Sequence, residues 1–326
     1  MPTARRQFLA TALTAALATS LPFAASAQAL EKPVHMIVAY GAGSATDTIA
    51  RYLAEKISRK SGRAVVVENK PGVDGNIAAE AATRAGAEAY TLLVSGASTH
   101  AANATIYKKL PFDPVADFTP LATLAQVPFV LLVNPQRIAQ RTLKEFLAWA
   151  GEGDRNLSFA STSVGNRIAG EQFRQVTRMK AVNVPYRASG QAMTDLLGGQ
   201  FDFYFCDAAT ALPQIKAGKA VALAVSTASR LAQLPEVPTL AESGYAGFDV
   251  ASWIAIWSAV ASTPPAVSTQ LAAWIGEALD APEGREFLQA KGLLPTPASP
   301  QHLRALQQRD TVAWGKIIRD TGMQQP

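Results

Sequence analysis

The chain has 326 residues, 48% hydrophobic and 17% charged, enough apolar content to bury a core, which excludes a disordered protein. Its length suggests two α/β domains. The formal net charge is only +5 and lysines and arginines are scattered, so nucleic acid is not an expected partner.

At the N-terminus, Arg5 and Arg6 precede a small-residue apolar run over 9–25, and Ala25-Ser26-Ala27 has the small-x-small pattern of a signal peptidase site. Residues 1–27 read as an export signal removed near Ala27/Gln28. The arginine pair before Phe8-Leu9 is similar to a twin-arginine signal; a Sec signal holding two arginines is the alternative. Either route leads to an envelope compartment, expected to be the periplasm. No later segment reaches the roughly 18 apolar residues of a membrane span. The single cysteine, Cys206, excludes an internal disulfide. No cofactor is expected, because ATP and NAD are scarce outside the cytoplasm.

Apolar β-rich runs then alternate with amphipathic ones, the pattern of βαβ units. Residues 34–39 read as a strand, 45–61 as a helix with Ile49, Leu53 and Ile57 on one face, 64–67 as a strand, 76–84 as a helix and 90–94 as a strand. The rhythm changes at 117–133, where two extended segments, 121–126 and 129–133, follow one another without a long helix. Alternation restarts with a helix at 143–150, a strand at 157–160, a helix at 168–176 and a strand at 181–184. A helix at 191–197, a strand at 201–205, a helix at 210–217 and a strand at 221–225 follow. A late strand at 252–261 and helices at 266–279, 282–291 and 300–321 end the chain. Two α/β blocks with a late return strand suggest two lobes joined by two crossings, 28–126 plus 250–326 against 127–249. Ligands of such folds lie in the cleft at the strand carboxyl ends.

Three loops could carry chemistry. Tyr40-Gly41-Ala42-Gly43-Ser44-Ala45-Thr46-Asp47 joins a strand to a helix N-terminus, a ready anion site. Ser44-x-x-Asp47 also fits a capping box that would use those donors internally. A dinucleotide fingerprint is a weak match, since Thr46 stands where a third glycine or alanine would. In the second loop, Ser98 and Thr99 could cap a short helix starting near Ala101 or donate to a ligand, and His100 has no partner at metal-ligand spacing. In the third, Ser161-Thr162-Ser163-Val164-Gly165-Asn166-Arg167, small hydroxyls and amides form a second cradle, and Arg167 either neutralises a carboxylate or rides on the surface. No G-x-S-x-G or paired histidines appear, so no catalytic or metal role is assigned. Asp207 lies beyond a strand, where cleft residues lie.

At these loops the chain resembles the Bug or TctC-type extracytoplasmic solute receptors of tripartite tricarboxylate transport systems. The stretches VVVENKPGVDGNIAAEAATRA, AYTLLVSGASTHAAN, IYKKLPFDPVADFTPLATLA and VPYRASGQAMTDLLGGQFDFYF carry the resemblance. It implies a two-lobed, type II-like periplasmic binding protein fold that closes on a small organic acid: a di- or tricarboxylate, an aromatic carboxylate or an amino acid. A monomer that delivers its ligand to membrane permease subunits is implied. A receptor for a sensor kinase is the alternative, and a periplasmic hydrolase a remote one. The resemblance implies that the amides of Ala42, Gly43 and Ser44 hold a carboxylate, with Ser98, Thr99, His100, Asn103 and the segment Ser161, Thr162, Val164, Gly165, Asn166 completing the pocket. Three positions depart from the family pattern: the 40–47 turn, the shortened loop before Arg167, and Cys206, which shifts the acid to Asp207. Tyr40 and Tyr204 together could leave a flat slot for an aromatic acid.

Overall fold

Val34–Val38 (β1) is an apolar strand, buried except at His35, that leads into helix Ala45–Ser61 (α1). Ser44 caps α1, accepting from the Asp47 N–H, and Gly62 ends it at φ 67° with its N–H on the Ser58 carbonyl. Ile49, Leu53 and Ile57 fall on one stripe of α1 and are buried, each gaining about 1.5–3 kcal/mol from that burial. Strand Val65–Asn69 (β2), helix Asn76–Thr83 (α2) and strand Tyr90–Gly96 (β3) follow, with β1 parallel to both β2 and β3. The structure, a computed structural model, describes Leu30–Gln325; the export signal and its cleavage point at Ala27/Gln28 lie outside the described residues.

After β3 the chain makes a wide helical turn over Ser98–Ala102, with the Asn103 N–H on the Ser98 carbonyl, and a short helix Asn103–Ile106 (α3). Sequence periodicity puts the start of this helix near Ala101; the wide turn begins it earlier. The two extended segments expected over 121–133 are one strand, Phe118–Val133 (β4), whose register shifts at 120–122 and 123–125 absorb the irregular pattern.

The second half alternates again: Leu143–Gly151 (α4), Leu157–Ser161 (β5), Val164–Thr177 (α5), Ala181–Pro185 (β6), Ser189–Leu197 (α6), Phe203–Asp207 (β7), Ala208–Lys216 (α7) and Val221–Val225 (β8). The chain returns as Ala251–Ala259 (β9) and ends in Pro265–Asp280 (α8), Pro282–Ala290 (α9) and Pro300–Asp320 (α10). Each of the last three helices opens on proline, whose missing N–H costs nothing there. The sheet order is β2-β1-β3-β9-β4-β7-β5-β6, with β8 also on β4. β4 serves both halves: 118–128 pair with β9, and 129–133 pair with β7. Among the described residues, no helix is long and apolar enough to cross a membrane.

Candidate functional site

The registers bring the strand carboxyl ends together. Gly96, the last residue of β3, pairs with Ile254, which pairs with Ala125 of β4. Asp207, the last residue of β7, pairs with Phe129. β3 and β7 therefore reach β4 from opposite directions, four residues or about 13 Å apart. The loops after β1, β3, β5 and β7 face one another across that interval. At its base the sides touch: a Cβ on Gly165 would lie 3.1 Å from Ser252 Cβ and 3.2 Å from Phe129 Cζ.

On the first wall, the 40–47 turn uses part of its own donor set. Gly43, at φ 80°, donates to Asp47 Oδ2 at 2.9 Å, Ser44 N–H donates to the Gly41 carbonyl at 3.2 Å, and Asp47 N–H to Ser44 Oγ at 3.2 Å. Of the three amides expected to be open to a ligand, those of Gly43 and Ser44 are thus engaged inside the turn, because Asp47 bends back as an internal anion. The amides of Ala42, Ala45 and Thr46 have no protein acceptor among the described residues. Burial would push the Asp47 carboxyl up. The Arg51 guanidinium, the Gly43 N–H and the Asn69 amide outweigh burial and hold it below its usual range.

The loop after β3 is fully buried at Ser98, Thr99, His100 and Asn103. The Tyr40 hydroxyl is pushed up to about 12, chiefly by burial, although a hydrogen bond from Ser98 opposes the shift. Thr99 Oγ1 and Asn103 Nδ2 donate to the Asp74 carbonyl at 2.9 and 3.1 Å. The structure does not bring His100 to these groups. Its ring stacks on Trp257 with centroids 4.0 Å apart, Nδ1 meets Ser95 Oγ at 3.0 Å, and burial drives its pKa down to about 3. The wide turn at Ser98–Ala102 rotates it into the core.

The loop 72–75 was missed in the sequence reading. Val73 and Asp74 hold φ 48° and 52° between two positive-φ glycines, a conformation costing non-glycine residues about 1–2 kcal/mol each. Pro71-Gly72 and Gly75 flanking an acid were the available signal.

On the opposite wall, Ser161 ends β5 and its carbonyl accepts from Tyr186 N–H at 2.7 Å. Asn166 Oδ1 accepts from both the Thr162 and Ser163 amides at 3.0 Å, and Asn166 N–H donates to Ser163 Oγ at 3.3 Å. This capping box leaves the Val164 and Gly165 amides without protein acceptors. Thr162 Oγ1 meets Tyr204 OH at 3.0 Å and Ser189 Oγ at 3.2 Å. Tyr204 is fully buried, so the expected aromatic slot has no open Tyr204 face. Arg167 makes no ion pair among the described residues, and its buried Nε lacks a partner. Asp207 Oδ1 caps α7 by accepting from Thr210 N–H at 2.9 Å.

The N-terminus of α6 also escaped sequence reading. Ala188, its N-cap, offers no side-chain acceptor, so the amides of Ser189, Gly190 and Gln191 are uncapped. The small run Ala188-Ser189-Gly190 after a strand was the available signal. Among the described residues no cluster of three or more His, Cys, Asp or Glu could hold a metal. Cys206 is buried, and that burial pushes its thiol well up.

An α/β frame with helix N-termini turned into a cleft between two halves defines a two-lobed periplasmic binding fold, shared with solved structures. Rhodopseudomonas palustris Rpa4515, solved with adipate, is 28% identical at TM-score 0.81, over 90% of this chain and 98% of that one. The periplasmic binding protein BugD is 30% identical at TM-score 0.77, over 91% and 100%. MatC of the same organism as Rpa4515, solved with malate, is 28% identical at TM-score 0.76, over 88% and 99%. Protein BugT of Bordetella pertussis is 31% identical over 294 residues, 89% of this chain and 90% of BugT. Residues 49–323 match the tripartite tricarboxylate transporter family receptor, TctC, and the chain belongs to that family. It is a binding receptor, not an enzyme.

Proposed function

We propose that this receptor captures a small organic carboxylate between a lobe of 28–126 plus 250–326 and a lobe of 127–249, and delivers it as a monomer to membrane permease subunits. Export to the periplasm with cleavage near Ala27/Gln28 belongs to this reading. The observation that carries it is the set of uncapped amides on both walls: Ala42, Ala45 and Thr46 opposite Val164, Gly165 and the start of α6. Amides at helix N-termini hold anions through the helix dipole and several directed hydrogen bonds at once, without a fixed cation. Arg167 adds a positive charge at the start of α5. That Rpa4515 was solved with adipate and MatC with malate favours dicarboxylates.

Titration calorimetry of the mature protein tests this with succinate, malate, aspartate, adipate, citrate and benzoate. Binding of at least one acid at micromolar or tighter Kd is expected, weakened when Val164→Pro, at the first position of α5 after the extended Ser163, removes one amide donor. Absence of heat and of any thermal shift across the whole panel overturns the reading.

A further inference from the structure

One half-buried carboxylate on the first wall has no role in that reading. Asp74 is held by three neighbours: Thr99 Oγ1 and Asn103 Nδ2 on its carbonyl at 2.9 and 3.1 Å, and Tyr107 OH on its Oδ2 at 3.0 Å. Its Oδ1 has no protein donor among the described residues. The neighbouring Asn103 Oδ1 is a buried acceptor without a partner. The same contacts fix Asp74 against the cleft loops, since Thr99 and Asn103 follow β3. Gly75 lies against Ala39, where a Cβ would sit 3.3 Å from Ala39 Cβ, one residue ahead of Tyr40. Four successive positive φ angles, 134°, 48°, 52° and 91° at Gly72, Val73, Asp74 and Gly75, set the carboxylate in this place.

A negative charge beside amides that attract anions opposes the capture of a plain acid. It becomes favourable when the ligand brings its own hydrogen-bond donor. We propose that Asp74 is a specificity-determining residue: on the reading that the cleft takes a carboxylate, its free oxygen accepts from an ammonium or hydroxyl carried beside that carboxylate, so the preferred ligands are amino or hydroxy acids.

The test is calorimetry with matched sets, succinate, malate and aspartate, then glutarate, 2-hydroxyglutarate and glutamate. A charge-assisted hydrogen bond corresponds to roughly tenfold or more in Kd. The wild-type protein should therefore bind the donor-bearing acid of at least one set about tenfold more tightly than its plain partner. Asp74→Gly, which suits φ 52° and so preserves the loop, should bring that ratio to within about threefold, weakening the donor-bearing acid and leaving the plain acid bound at least as tightly as before, since a repelling charge is gone. Asp74→Asn, which keeps the side-chain shape, should weaken the amino acid more than the hydroxy acid. Plain acids bound as tightly as their donor-bearing partners, or a preference that survives Asp74→Gly, overturn the assignment and leave carboxylate capture intact. Silence from all six acids overturns the assignment, and silence from adipate, citrate and benzoate as well overturns carboxylate capture with it.

Discussion

Gln126 and Leu294 exchange both main-chain hydrogen bonds, Gln126 N–H to the Leu294 carbonyl at 2.9 Å and Leu294 N–H to the Gln126 carbonyl at 3.0 Å. The sequence suggests two crossings between the halves; here a third chain segment lies beside β4 at the same level. Just before it, Gly292 packs on the start of α7, where a Cβ would come 3.2 Å from Ala209 N, and Gln233 Nε2 donates to the Gln289 carbonyl at 3.3 Å. The other end of α9 is tied to α1, with Tyr52 stacked on Phe287 at 4.3 Å and Lys56 paired to Glu283 at 2.7 Å.

Leu294→Pro removes one of the two bridging donors and leaves the Gln126 carbonyl without its partner. A loss of about 1–3 kcal/mol is expected in urea unfolding. If α9 and its following segment brace the two halves, small-angle scattering of the ligand-free variant should also show a larger radius of gyration. An unchanged radius and stability would show the bridge to be dispensable.

Ala188→Asp should separate stability from binding. The backbone at Ala188, φ −151° and ψ 143°, suits an N-cap residue, so an aspartate there can satisfy the first amides of α6. Helix capping should raise stability by about 0.5–1 kcal/mol. The new carboxylate would also occupy donors assigned to the ligand and repel its charge, so affinity should fall by about tenfold or more. Higher Tm with undiminished affinity would remove α6 from the site.

His100 sets a pH dependence whose sign is fixed by its burial. Its folded pKa, about 3, lies below the ordinary 6.5, so the unfolded chain binds the proton first. The stability from this group is fully present above 6.5 and is lost as pH falls toward 3. Between pH 6.5 and 5 it should contribute a loss of about 1–2 kcal/mol. His100→Phe keeps a flat ring against Trp257, lowers stability at pH 7 by removing the Ser95 contact, and should flatten this part of the profile. Equal slopes for wild type and variant between pH 6.5 and 5 would contradict the buried, neutral histidine.

Much of this was legible along the chain. The alternation of apolar and amphipathic runs marked the βαβ units, because strand and helix periods are local properties of side-chain spacing. Ser44-x-x-Asp47 fits a capping box along the sequence; Asp47 N–H does donate to Ser44 Oγ, but the Asp47 carboxylate accepts from the Gly43 N–H while the Ser44 N–H goes to the Gly41 carbonyl, so only half of the box forms. The break in rhythm near 117–133 marked the region in which β4 spans both halves.

What the order of residues determined was the family, the α/β pattern and the loops that follow the strands, since each depends on neighbours a few positions apart. Tertiary structure decided which amides remain open, why His100 turns inward and where Asp74 points. Those outcomes depend on competition for hydrogen-bond partners that arrive from distant positions: Asn69 at Asp47, Trp257 under His100, and Tyr107 with Thr99 around Asp74. A donor's fate is settled by whichever acceptor packing brings within about 3 Å, and no local pattern encodes that distance.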